Sequence, residues 1–102
     1  MQWHGVEVVK LPDNSTLLAS SPHCRVQAMR VGDRAWSMQY HVEVEPDTVD
    51  NWGAIPAYRD ALEKTLGAEA MRTLRTDAAR EMGGFIKNAK ALYTNFRKAS
   101  GL

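Results

Sequence analysis

Cysteine is almost absent from this chain of 102 residues, in which Cys24 is the only one. A single cysteine excludes an intramolecular disulfide and a zinc site built from several thiolates. Neither sign of charge dominates, because 13 Lys and Arg stand against 12 Asp and Glu and the formal net charge is +1. Bulk electrostatics therefore gives no support to nucleic acid as a partner.

Long apolar runs are also missing. No stretch approaches the roughly 20 apolar residues that a membrane-spanning helix needs, so a membrane partner is not expected. The first residues lack the basic segment followed by an apolar one that marks a signal peptide. A length of 102 residues limits the chain to one domain. Together these features favour a soluble protein in a reducing, cytoplasmic setting.

The two parts of the chain carry different patterns. Residues 1–45 are rich in β-branched and alternating residues and predict strands, whereas residues 46–102 have helical periodicity. Gly32-Asp33 is a suitable two-residue hairpin turn between two of the strands. The predicted strands cover residues 6–10, 15–20, 24–31 and 34–45.

Four helices are predicted after residue 45. Pro46, Asp47 and Thr48 open a short helix that ends near Gly53, and Pro56 opens a second helix that ends at Gly67. Residues 68–82 and 85–98 form the third and fourth, separated by Gly83-Gly84, and their apolar stripes are typical of a core. Strands first and helices last indicate an α+β fold, or one piece of a larger α/β layer. The chain is expected to be a single, partial domain.

The most informative segment is residues 34–45. If it is one extended strand, its side chains alternate, so that Trp36, Met38, Tyr40 and Val42 share one face and Ser37, Gln39, His41 and Glu43 share the other. A histidine beside a carboxylate at the exit of a strand is a plausible general base with its orienting partner. His41 and Glu43 are the candidate catalytic residues, and Glu45 is an alternative carboxylate.

Several short motifs follow one another in an order that resembles a known family. They are Trp3-His4-Gly5, Leu11-Pro12, Leu18-Ala19-Ser20-Ser21, Gln27-Ala28 and Gln39-Tyr40-His41-Val42-Glu43. This order is similar to the C-terminal part of class I glutamine amidotransferase domains, above all the GMP synthase-like branch. Two positions depart from the family pattern, because Val42 stands where proline is usual and Val6 where an aspartate usually follows His-Gly.

The resemblance implies a flavodoxin-like α/β parent fold of which this chain is the C-terminal half. It implies hydrolysis of glutamine to glutamate and ammonia by a Cys-His-Glu triad, with His41 and Glu43 as two members and with no cofactor or metal. The nucleophile elbow Gly-x-Cys-x-Gly does not occur in the chain. The cysteine is therefore expected on a missing N-terminal half-domain or on a partner chain, and this chain alone is expected to be inactive.

Three other interpretations remain open. The chain could be a non-catalytic, partner-docking or split-domain subunit, or an oligomer, that uses an exposed apolar face of its sheet. Cys24 could act as the nucleophile with His41 and Glu43, although a buried structural cysteine is the commoner state for a residue inside a strand. His4, His23 and His41 with Glu43 could bind a metal, but their spacing fits no ligand motif.

Overall fold

A three-stranded antiparallel sheet followed by three helices makes up the mixed α/β architecture of this protein. The computed structural model describes residues 1–102. The elements are β1 (Ser15–Ser21), β2 (Cys24–Val31), β3 (Ala35–Met38), α1 (Thr48–Gly53), α2 (Pro56–Leu66) and α3 (Ala70–Ser100). None of the helices combines the length and the apolar character that crossing a lipid bilayer requires.

The strands lie in the order β1-β2-β3, and the two predicted strands at residues 15–20 and 24–31 are confirmed. The hairpin between β2 and β3 has a three-residue loop, because Val31 pairs with Ala35, and the predicted two-residue turn was one residue short. Gly32 has a φ of 58°, which glycine adopts at little cost. Its backbone N–H donates to the carbonyl oxygen of Asn14 at 2.8 Å.

The predicted strand at residues 34–45 is wrong beyond Met38, where β3 ends. The register accounts only for the far end of the predicted strand, since residues 39–42 would still lie opposite 24–27 of β2. Ala28 pairs with Met38, so in an extended ladder Glu43 would fall opposite His23, which lies in the turn after β1. A strand needs a neighbour to satisfy its backbone, and β2 provides none there. The alternating faces inferred for the segment therefore do not extend to His41 and Glu43.

The predicted strand at residues 6–10 is also wrong, since this segment has no regular secondary structure. Val6 and Val9 are exposed. β-branched residues favour strands only where a pleated, partly buried surface exists for them to cover. Here the backbone of Val6 and Val8 bonds a glutamine side chain, as described below.

Helices α1 and α2 lie where the sequence predicts them. Pro56 occupies the first turn of α2, where its missing N–H costs nothing. Gly67 follows the helix with a φ of 95°, and its N–H donates to the carbonyl oxygen of Glu63 at 2.8 Å. This left-handed glycine is what ends the helix.

The predicted break at Gly83-Gly84 is wrong, because α3 runs without interruption for 31 residues. Each glycine in a helix interior costs about 1 kcal/mol relative to alanine. The residues on both sides are mostly good helix formers, so the propensity of the long segment exceeds this cost.

The chain divides into two compact units. Met1 with residues 42–93 forms the first, and residues 2–41 with 94–102 form the second. Within the first unit the core consists of Val44, Val49, Leu62, Ala70, Met71 and Ala78. Within the second unit Cys24, Val26, Gln27 and Ala28 of β2 are buried, and Val26 is only 1% exposed.

Candidate functional site

His41 and Glu43 lie in an irregular segment between the end of β3 and the start of α1. The imidazole side chain belongs to a half-buried residue, and the carboxylate belongs to an exposed one. The division between the two compact units falls directly after His41, so His41 belongs to one unit and Glu43 to the other. A partly exposed histidine and a solvent-facing acid are both accessible to a substrate.

The Glu43 carboxylate makes a local hydrogen bond, since it accepts the backbone N–H of Val42 at 3.0 Å. Its charge also reaches the Met1 amino group. Partial burial lowers the pKa of that amino group, and the negative charge of Glu43 acts in the opposite direction. The Glu43 carboxylate is thus close enough to the Met1 amino group to affect its pKa.

Gln39 joins two segments that are distant in the sequence. Its backbone N–H donates to the carbonyl oxygen of Gln27 at 2.8 Å, one residue beyond the end of β3. Its side-chain Nε2 donates to the Val6 carbonyl oxygen at 3.1 Å, and its Oε1 accepts the Val8 N–H at 3.3 Å. Gln39 therefore ties residues 6–8 to the rim of the sheet, two positions before His41.

Cys24 is only 3% exposed. Its Sγ lies 3.6 Å from the carbonyl oxygen of Val26 and 3.7 Å from Oε1 of Gln39, both acceptors for the thiol proton. A thiol that is enclosed and donates to neutral acceptors has no surface for a substrate to approach. These contacts favour a structural role over the nucleophilic alternative.

The other two histidines, His4 and His23, are not part of a metal-binding cluster. His4 Nδ1 lies 2.7 Å from the carbonyl oxygen of Val6, which fixes the tautomer that carries the proton on Nδ1. His23 is exposed in the turn between β1 and β2. No group of three or more His, Cys, Asp or Glu side chains is arranged to hold a metal ion.

Glu45, the alternative carboxylate, belongs to the start of α1. Its backbone N–H donates to the Thr48 hydroxyl at 2.8 Å, and the residue is exposed. This contact orders the chain just ahead of α1. It gives Glu45 a local structural role and leaves Glu43 as the better candidate.

One buried polar residue was not singled out from the sequence. Gln27 is 4% exposed, and its Nε2 donates to the Ser21 hydroxyl at 2.9 Å. Its Oε1 is buried with no hydrogen-bond partner. Strand alternation predicts that every second residue of β2 faces outwards, whereas Val26, Gln27 and Ala28 are all buried beside an irregular pairing with β1 after Leu17. No sequence signal marks that bulge.

Comparison of the chain with protein-family models, with curated proteins and with solved structures found no match in any of the three. The functional argument therefore rests on the residues themselves and on their placement.

Proposed function

We propose that this chain is the C-terminal portion of a class I glutamine amidotransferase-like domain. One observation carries the proposal: Gln39-Tyr40-His41-Val42-Glu43 directly follows β3 and lies in the irregular segment between that strand and α1. A base and its orienting acid close together in a short, accessible segment are the arrangement that such a triad requires. In the proposed parent, the surrounding fold is flavodoxin-like.

Each residue has a defined part in the proposed reaction. His41 removes the proton from a cysteine thiol, and Glu43 holds the imidazole in one orientation and stabilises its protonated form. The thiolate attacks the side-chain carbonyl carbon of glutamine, and the C–N bond breaks as the imidazolium returns its proton to the departing nitrogen, which leaves as ammonia. Water then hydrolyses the thioester to glutamate and restores the thiol. No cofactor or metal is needed.

The nucleophile belongs to another polypeptide segment in this proposal. A reactive cysteine requires exposure and a strained, small-residue turn, and Cys24 lies buried inside β2 instead. The partner is a half-domain or chain with a Gly-x-Cys-x-Gly elbow and an oxyanion site. Without it, this chain does not release ammonia.

The test is to mix this chain with such a cysteine-bearing segment and to measure the release of ammonia from glutamine. His41→Asn and Glu43→Gln should each reduce the rate at least about 100-fold, the scale on which members of catalytic triads act. His23→Asn and Glu45→Gln are matched controls on exposed residues and should leave it unchanged. Equal loss in the controls and the test variants would refute the assignment of His41 and Glu43.

A second candidate function is a partner-docking subunit without catalysis. The observation in its favour is that several large apolar side chains are exposed, among them Trp36 and Met38 on β3. Two copies, or this chain and a partner, would cover this strand. Sedimentation of the Trp36→Ser and Met38→Ser variants, alone and with a partner, tests whether β3 is the docking surface. Unchanged mass and unchanged partner binding in both variants would exclude β3 as the docking surface.

A further inference from the structure

The side-chain amide of Gln39 makes two backbone hydrogen bonds that a neighbouring strand would otherwise make. It donates to the carbonyl oxygen of Val6 and accepts the N–H of Val8, which are the two groups that flank Glu7 on one edge of the segment. A neighbouring residue in a parallel ladder bonds the same two groups with its own backbone. One amide side chain therefore satisfies part of the backbone of a segment that has no strand partner.

Other polar groups bond this amide or its hydrogen-bond partners. His4 Nδ1 donates to the same Val6 carbonyl oxygen at 2.7 Å, and the Cys24 thiol lies 3.7 Å from Gln39 Oε1. The backbone N–H of Gln39 is itself held by Gln27 on β2. The amide is thus fixed from the sheet, from the N-terminal segment and from the buried thiol, all within one compact unit.

We propose that Gln39 is the positioning residue of the candidate site, and that it sets the geometry of His41 by tying the end of β3 to residues 6–8. This inference rests on the proposed function of His41 but makes a structural claim that can be measured without it. His41 comes two residues after Gln39, outside any strand, so the anchors of Gln39 decide where that segment begins. A side chain must be held to within about 0.5 Å to act as a catalytic base.

The informative variant is Gln39→Glu, which preserves the shape and removes one donor. Above pH 6 the introduced carboxylate cannot donate to the Val6 carbonyl oxygen and repels it. Below the pKa of that carboxyl group, its neutral form has one donor and one acceptor and can restore both bonds. The Val6 carbonyl oxygen raises the pKa of that carboxyl group, whereas the Val8 N–H that it accepts acts in the opposite direction. Gln2→Glu is the matched control, since Gln2 is exposed.

Two structural measurements read the effect in the intact chain. Amide hydrogen exchange at Val8 should lose at least about tenfold of its protection in Gln39→Leu, which removes the Oε1 that accepts the Val8 N–H, and a tenfold loss corresponds to a bond worth about 1.4 kcal/mol. In Gln39→Glu the carboxylate still accepts the Val8 N–H, so Val8 should stay protected at pH 7 while the bond to the Val6 carbonyl oxygen is lost. The ring signals of His41 should shift or broaden at pH 7, while those of His23 stay unchanged as an internal reference. Gln2→Glu should alter neither measurement.

The functional measurement uses the same variants in the mixture with a cysteine-bearing segment. Gln39→Glu should lower kcat by about 10- to 100-fold with little change in KM, because misplacing a base affects the transition state more than binding. Lost Val8 protection in Gln39→Leu with unchanged His41 signals would overturn the inference, as would unchanged kcat in an active mixture. If no mixture is active, the proposed function fails, and a response of the His41 signals still supports the positioning by Gln39.

Discussion

Arg75 Nη2 lies 2.6 Å from a carboxylate oxygen of Asp50, so an ion pair joins α3 to α1. Arg75 Nε also donates to the same oxygen at 2.6 Å. The two residues are 25 positions apart, and both side chains are more than half exposed. Below this pair Met71 of α3 packs against Gly53 of α1, in a gap that a β-carbon would fill. The ion pair therefore joins the same two helices that meet closely at Met71 and Gly53.

Arg75→Ala should reduce the free energy of unfolding by no more than about 1 kcal/mol, since water and salt screen exposed ion pairs. The reduction should shrink further in 1 M salt. Denaturant unfolding of Arg75→Ala, Asp50→Ala and the double variant gives the coupling energy. Arg72→Ala, which breaks the exposed pair with Glu69 near the start of α3, is the control. A coupling energy of several kcal/mol would contradict the exposed geometry.

Val26→Ala should destabilise the chain by about 2 kcal/mol, because the side chain is almost fully buried and two methyl groups leave a cavity. Val26 is 1% exposed, whereas Val9 is 83% exposed. Val9→Ala therefore makes the same chemical change on the surface and should leave the free energy of unfolding within about 0.5 kcal/mol. Equal effects of the two substitutions, measured by denaturant unfolding, would show that β2 is not at the centre of its unit.

Gly84→Ala should stabilise the chain by about 0.5–1 kcal/mol. Gly84 lies inside α3, and no atom lies within 4 Å of the position a β-carbon would take. Gly67→Ala should have the opposite sign, because Gly67 has a φ of 95° that alanine adopts only with strain. Thermal unfolding of both variants measures the sign of each change in stability. A lower Tm for Gly84→Ala would mean that the helix does not run through the two glycines.

Glu43→Gln should lower the pKa of the Met1 amino group further. Burial already depresses that pKa below its ordinary value of 8.0, and the negative charge of Glu43 opposes the depression. A depressed pKa of this kind contributes stability above pH 8 that is lost as the pH falls through the folded value. The pH dependence of acylation of the amino group measures the pKa, and Glu45→Gln is the control. A raised pKa in Glu43→Gln would contradict the proximity of the two charges.

The sequence predicted those elements whose limits are set by local chemistry. Pro56 and Gly67 bound α2 because proline suits a first helical turn and a left-handed glycine suits the residue after a helix. The limits of β2 follow from alternation between two turns. In each case the deciding interactions lie within a few residues, so a single sequence contains them.

The errors arise where a distant partner decides. β3 stops at Met38 although the register would set residues 39–42 opposite 24–27 of β2, and residues 6–10 form no strand although their composition favours one. A shared strand face for His41 and Glu43 was predicted and is wrong, because both residues lie after the end of β3. The amide of Gln39 bonds the backbone of Val6 and Val8 across more than 30 positions, and no local sequence pattern predicts such a contact.

The central claim is that the sulfur nucleophile belongs to another segment while His41 activates it. The most direct measurement is to treat the mixture of this chain and a cysteine-bearing segment with a glutamine analogue that carries an electrophilic ketone, and to locate the covalent label by mass spectrometry. The account predicts a label on the cysteine of the other segment, formed at least about 100-fold more slowly with His41→Asn and at the normal rate with Cys24→Ala. A label on Cys24, or a rate that does not depend on His41, would contradict it.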